Sequence, residues 1–157
     1  MSELGSQLIR AVRIEEAELL HALTQRSTMY WGYEPAFLDW EPESIAVTPE
    51  FLEKAIASYA LEEAGIVTGY YTLTGTLAHA HLDKLFVDAP YIGTGRGKLL
   101  WNHAIATAKW QGVQQLDFYA DPNAAPFYRA MGAVWTGEEE TSRPGWNLQI
   151  FEVDLGR

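Results

Sequence analysis

Tyr91-Ile92-Gly93-Thr94-Gly95-Arg96-Gly97-Lys98 joins an extended run, His79 to Val87, to a segment, Leu99 to Gln111, in which Leu100, Ala104 and Ala108 repeat at helical spacing beside Trp101 and Ile105. Asp88, Ala89 and Pro90 end the extended run, and Gly112 is a natural residue just past the helix. The order is strand, glycine loop, helix. Three glycines at alternate positions let backbone N–H groups approach an anion without Cβ interference, and the helix dipole adds to the attraction. Phosphate or pyrophosphate suits such a loop; a tight turn with no ligand is the opposing reading. Two common glycine loops are excluded by position. A Walker-type loop needs glycine at Ile92 and Ser or Thr at Leu99, and a dinucleotide fingerprint starting at Gly93 needs its third glycine at Lys98.

Working outward, Leu8 to Val12 suits a short first strand, and Glu15 to about Ser27 carries Leu19, Leu20 and Leu23 at helical spacing. Pro49 opens a second helical segment that reads on to about Ser58. Tyr59 to Glu62 and Ile66 to Thr74 read as a hairpin across Glu63, Ala64 and Gly65. Gln115 to Ala120 is another strand, after which Asn123 is the expected cap of a short helix with Pro126 in its first turn, ending at Gly132. Ala133 to Thr141 and Trp146 to Leu155 fit a closing pair of strands. These elements predict a single α/β domain over 1–157, with no internal repeat or linker.

The chain has 157 residues, 48% of them hydrophobic, which is enough for one core. It holds 21 acidic and 11 basic side chains, for a formal charge of −10. That field repels phosphate backbones and anionic membranes, so neither nucleic acid nor a membrane is an expected partner; it draws a cationic amine. No secretory or membrane-spanning pattern is seen, and a cytoplasmic location is expected. There is no cysteine, hence no thiolate nucleophile and no cysteine metal site, and no metal is expected. Four histidines remain.

The glycine loop resembles the acetyl-CoA loop of the GNAT superfamily, Arg or Gln, two residues, Gly, one residue, Gly or Ala. It falls here on Ile92-Gly93-Thr94-Gly95-Arg96-Gly97 and departs from the pattern at Ile92. A second match lies downstream. Asn123-Ala124-Ala125-Pro126-Phe127-Tyr128, followed by Gly132-Ala133, is similar to the family's Asn-x-x-Ala-x-x-Phe-Tyr-x-x-x-Gly-Phe signature; the alanine place is shifted and Ala133 replaces Phe. The resemblance covers nearly the whole chain. It implies a mixed, mostly antiparallel sheet of six or seven strands flanked by about four helices, and an acetyl-CoA-dependent N-acetyltransferase acting on an amine of a small molecule or peptide.

By the same resemblance, Leu85, Phe86 and Val87 would pair through their main chains with the pantetheine arm. The N–H groups of Gly93, Gly95, Gly97 and Lys98 would receive the pyrophosphate, with Arg96 or Lys98 adding a charged contact, and Ile92, Thr94, Asn123 and Phe127 belong to the same cofactor site. Transfer to an amine needs a base for the ammonium proton and an acid for the leaving thiolate. Tyr128 stands at the family's Phe-Tyr pair as the acid. His81 stands where relatives place a glutamate base, Asp83, two residues on and expected on the same face, is the second candidate, and an ordered water or a group from another element is the third. Tyr30, Trp31, Tyr33 and Glu34 open the aromatic stretch, running on to Phe37 and Trp40, where relatives build the acceptor wall. Two other readings stay open: a non-catalytic acyl-CoA-binding or sensor module, and a partner-binding domain without nucleotide. The acceptor and the oligomeric state, a homodimer included, are not legible.

Overall fold

The computed structural model describes residues 7–33 and 46–156. Seven strands form one sheet: β1 (Gln7–Ala11), β2 (Ala57–Glu63), β3 (Ile66–Gly75), β4 (His79–Val87), β5 (Gln115–Ala120), β6 (Val134–Glu139) and β7 (Leu148–Val153). Among the described residues, four α-helices join them: α1 (Ala17–Met29), α2 (Pro49–Lys54), α3 (Arg96–Gln111) and α4 (Ala125–Ala130). The strand order is β1-β2-β3-β4-β5-β7-β6. All neighbours pair antiparallel except β4 and β5, which are parallel. The expected mixed, mostly antiparallel α/β fold is therefore found.

Local chemistry accounts for the chain reversals. Ala64 and Gly65 both take positive φ, 51° and 82°, so a two-residue turn of the primed kind matches the twist of β2 and β3. Helix α2 ends earlier than its sequence suggests. Ala55 is already extended and the Ile56 N–H donates to the Leu73 carbonyl at 2.7 Å, so the sheet takes the chain before Ser58. Asn123 does not cap α4: the cap is Ala124, and Asn123 turns its amide toward Tyr33.

Two cores lie against the sheet. Leu61, Tyr71, Leu73, Leu82 and Val87 pack with Leu100, Trp101 and Ala104 of α3 and Tyr128 of α4. A smaller cluster joins Ala60, Val67 and Tyr70 to Leu20 and Leu23 of α1 and Leu52 of α2. Close approach of α3 depends on Gly69, where a Cβ would sit 2.8 Å from Leu100 Cδ1 and 2.9 Å from the Phe86 carbonyl oxygen. Among the described residues, no helix is long and apolar enough to cross a membrane.

Candidate active site

The parallel ladder of β4 and β5 is short. It runs only from His79 opposite Gln115 to His81 opposite Asp117. Beyond that point the strands part, because β5 continues along β7 while β4 stays on β3. Among the described residues, no strand pairs with the β5-facing edge of β4 beyond His81. A cleft of about 440 Å³ fills the gap. Its walls include Leu82, Asp83, Leu85, Phe86 and Val87 of β4; Ile92, Gly93, Gly95, Gly97 and Lys98 of the loop; and Asn123, Phe127 and Tyr128 around α4. It also takes in Ser27, Thr28 and Trp31 at the end of α1, and Tyr119, Ala120, Asp121 and Ala124 beyond β5.

The glycine loop presents backbone donors to this cleft. Gly95 is the N-terminal cap of α3 at φ 86°, and the first helical bond runs from the Leu99 N–H to the Gly95 carbonyl at 3.2 Å. The N–H groups of Gly97 and Lys98 therefore have no partner within the helix. Gly93 and Gly95 both hold positive φ, and a Cβ at either would meet no protein atom within 4 Å, so the space above them is open. Gly97 has a second reason to be glycine: its Cβ would sit 3.3 Å from the Phe127 ring. The preceding turn is clamped from two sides. Asp88 accepts the Ala89 N–H at 2.8 Å and receives both arms of the Arg26 guanidinium at 2.9 Å, tying the loop to α1.

Arg96 does not turn into the cleft. Its guanidinium donates to both oxygens of Glu63 at 2.6 and 2.9 Å and lies 4.7 Å from the Tyr91 ring centre. Glu63 also accepts from Thr68 and Gln7. Arg96 thus holds the start of α3 to the β2–β3 hairpin, and Lys98 is the loop cation that faces the cleft. Thr94 folds its hydroxyl onto the Tyr91 carbonyl and is outside the cleft wall.

The Arg96 guanidinium lowers the Glu63 carboxyl from 4.5 to about 2, against a smaller opposing effect of burial. A depressed folded value stabilises the fold above the ordinary value, and that stabilisation is lost as pH falls through about 4.5 toward 2. Glu63→Gln should cost about 1–3 kcal/mol at pH 7, the range between an exposed ion pair and charged hydrogen bonds. Urea unfolding of both proteins at pH 7 and pH 3 checks this. The gap should narrow at the lower pH, and an equal gap at both would contradict the assignment.

Tyr128 lines the cleft yet is only 8% exposed, its ring 4.6 Å from Phe118 and 5.7 Å from Trp101. Its hydroxyl has no hydrogen-bond partner among the described residues. Burial pushes the phenol well above its ordinary value, with the Asp121 charge adding to the rise. Asp83 also lines the cleft, and Lys84, itself buried, donates to its carboxylate at 3.0 Å. His81 does not line it. The expectation that His81 and Asp83 share a face fails because β4 bulges between them: Leu73 opposes Leu82 and Thr72 opposes Lys84, so Asp83 is the extra residue. His81 instead points its Nδ1 at Asp117 Oδ1, 2.5 Å away.

Of the aromatic stretch, Trp31 reaches the cleft wall. Tyr30 is half exposed and packs edge-on against Trp31. Tyr33 donates to Asp121 at 2.8 Å and accepts from Asn123 Nδ2 at 2.6 Å and Trp146 Nε1 at 2.8 Å, fastening the segment after α1 to the cleft rim. Burial raises the Tyr33 phenol to about 12. Glu34, Phe37 and Trp40 lie outside the described residues.

Known proteins share the fold of this chain. A family model of the acetyltransferase (GNAT) domain matches residues 40–155. The chain belongs to the GNAT acetyltransferases, and with them to the acyltransferase enzymes. Peptidyl-lysine N-acetyltransferase YjaB of Salmonella typhimurium is 32% identical over 139 residues, 87% of this chain and 90% of the relative. Among solved structures, yncA of Salmonella typhimurium with its cofactor acetyl-CoA superposes with a TM-score of 0.75 at 16% identity, covering 96% of this chain and 95% of that one. The PaiA N-acetyltransferase of Thermoplasma acidophilum in complex with coenzyme A gives 0.69 at 21% identity, covering 93% and 98%.

Proposed function

We propose that this enzyme moves the acetyl group of acetyl-CoA directly to a primary, cationic amine, with the lysine side chain of a peptide as the leading acceptor class. The observation that carries the reading is the content of the cleft: the helix-start amides of Gly97 and Lys98 at the loop, the β4 edge where it parts from β5 along one wall, and Tyr128 with Asp83 in the same space. The Salmonella relative named for peptidyl-lysine, and the fold neighbours with acetyl-CoA or coenzyme A, support both halves of the proposal.

The residues present fit the donor. Amides at the start of α3, with Gly93 and Gly95 leaving their approach open, suit a pyrophosphate, and Lys98 adds positive charge. The main chain of Leu85, Phe86 and Val87 offers amides and carbonyls to the amide-bearing arm of coenzyme A. Bound there, acetyl-CoA supplies an activated thioester.

The protein's own part is to hold the amine and meet the charge that develops. Tyr128 is a phenol, protonated at neutral pH even at its ordinary value, and burial pushes it further up, so its hydroxyl would donate to the departing sulfur. A phenol at or above about 10 does not yield its proton fully to a thiolate near about 8.5, so the interaction is a hydrogen bond that strengthens as the sulfur gains charge. Asp83, held by Lys84 beside the point where β4 and β5 part, draws the cationic head of the acceptor. Trp31 gives that head an aromatic face. The ammonium proton leaves along Asp83 to water, and the second N–H proton, lost as the amide forms, goes to the departing sulfur, which leaves as the thiol.

Thiol release from acetyl-CoA across an amine panel tests this. Lysine peptides should outperform neutral and anionic amines, and their KM should rise with salt as screening grows. Asp83→Asn should raise KM for cationic acceptors more than it lowers kcat. An anionic amine as the best acceptor, or a KM that ignores ionic strength, would defeat the proposed acceptor class.

A further inference from the structure

A second group of chemistry-bearing side chains stands at the closed end of the β4–β5 split, outside the cleft. His79 and His81 alternate on one face of β4, and Asp117 lies directly across from His81 in the parallel register. His79 Nε2 is 2.5 Å from Asp117 Oδ2, and His81 Nδ1 is 2.5 Å from Asp117 Oδ1. The two rings are 4.8 Å apart, and one ligand atom from each of the three residues falls within 4.8 Å of the others. We propose that His79, His81 and Asp117 form a binding site for a divalent transition-metal ion of the zinc class.

The donor set chooses the ion. Two imidazoles and one carboxylate suit zinc, cobalt, nickel, copper or ferrous iron, whereas magnesium and calcium want oxygen alone. Such an ion holds imidazole nitrogen at about 2.0–2.1 Å and carboxylate oxygen at about 2.0–2.2 Å. Three atoms already drawn together reach those distances by small side-chain rotations, and the backbone that carries them is hydrogen-bonded sheet. Both imidazoles now aim a nitrogen at one carboxylate. When both are neutral, metal entry needs only that each ring proton move to the other nitrogen, Nδ1 of His79 and Nε2 of His81, with no change of charge.

The surroundings also suit a cation. Glu152 of β7 sits opposite Asp117 in the antiparallel register, and with His79, Asp117 and Asp154 it lines a cavity of about 310 Å³. The histidine side chains are 48% and 43% exposed, so an ion enters from solvent and keeps coordination positions for water. Three protein ligands with open positions distinguish this arrangement from a closed structural site. The proposal revises the expectation of no metal that the absence of cysteine suggests, and it does not depend on the acetyl-transfer reading.

Titration of the tag-free protein with Zn2+, followed by calorimetry and by the imidazole resonances, tests it. One ion per chain should bind saturably, shifting the ring signals of His79 and His81 while those of His21 and His103 stay in place. Co2+ should bind in competition with Zn2+ and show visible d–d absorption. His79→Ala and Asp117→Ala should each weaken Zn2+ binding at least about tenfold, the loss typical even of groups that only orient ligands, whereas His103→Ala should not. The resonance shifts need no variant, so the result stands even where a substitution alters folding. Absence of saturable binding, ring shifts at His21 or His103 instead, or affinity retained in both ligand variants would overturn the proposal.

Discussion

Tyr128→Phe is expected to lower kcat by about 10²-fold or more while leaving the fold and the affinity for coenzyme A nearly unchanged, the usual effect of removing one hydrogen-bond donor to charge that develops in the transition state. The ring is packed among Trp101, Phe118, Phe127 and Phe151, and phenylalanine keeps those contacts. No hydrogen bond to the hydroxyl among the described residues is lost, so the structure gives little reason for destabilisation. The loss should fall on kcat rather than KM, because the interaction strengthens as the thiolate departs. Steady-state rates with a good acceptor, beside thermal melts of both proteins, check this. A variant with near-wild-type single-turnover rates removes Tyr128 from the chemistry.

Gly95→Val should weaken coenzyme A binding by at least about tenfold, the equivalent of about 1.4 kcal/mol. Two causes add. Gly95 holds φ 86°, where a β-branched residue is strained by about 1–3 kcal/mol, and its Cβ would stand in open space beside the first amides of α3. The protein offers no clash, so the side chain obstructs whatever occupies the loop. Gly95→Asn separates the causes, because asparagine tolerates the left-handed conformation. Calorimetry should find both variants weakened, with valine worse and its unliganded melting temperature lower. Unchanged affinity in both would take the pyrophosphate away from this loop.

What the sequence revealed and what it hid divide along physical lines. The glycine loop was legible because positive φ and open anion approach are demands that single residues answer locally. The bounds of β4 and β5 were legible too, since Val87 is followed by Asp88-Ala89-Pro90 and Ala120 by Asp121-Pro122. Arg96 looked like a phosphate ligand because its partner, Glu63, lies thirty-three positions earlier and meets it only through the hairpin. Alternation placed Asp83 with His81, but a bulge is set by the neighbouring strand and not by the residues within it. The pairing of both histidines with Asp117 was hidden for a related reason: parallel register exists only once the helical crossover has formed. Ser27 and Thr28 escaped notice because a polar helix end carries no signal of the cleft it borders.

The central claim, direct transfer of acetyl from acetyl-CoA to an amine in the β4–β5 cleft, meets its most direct test in a single turnover. The enzyme is held in excess over acetyl-labelled acetyl-CoA, a lysine peptide is added, and the quenched mixture is assayed for labelled peptide, free thiol and labelled protein. The account predicts one acetylated amine for each thiol released and no acetyl on the protein at any time. Label that passes through the protein at a competent rate, or bound acetyl-CoA that yields no acetylated amine, would contradict it.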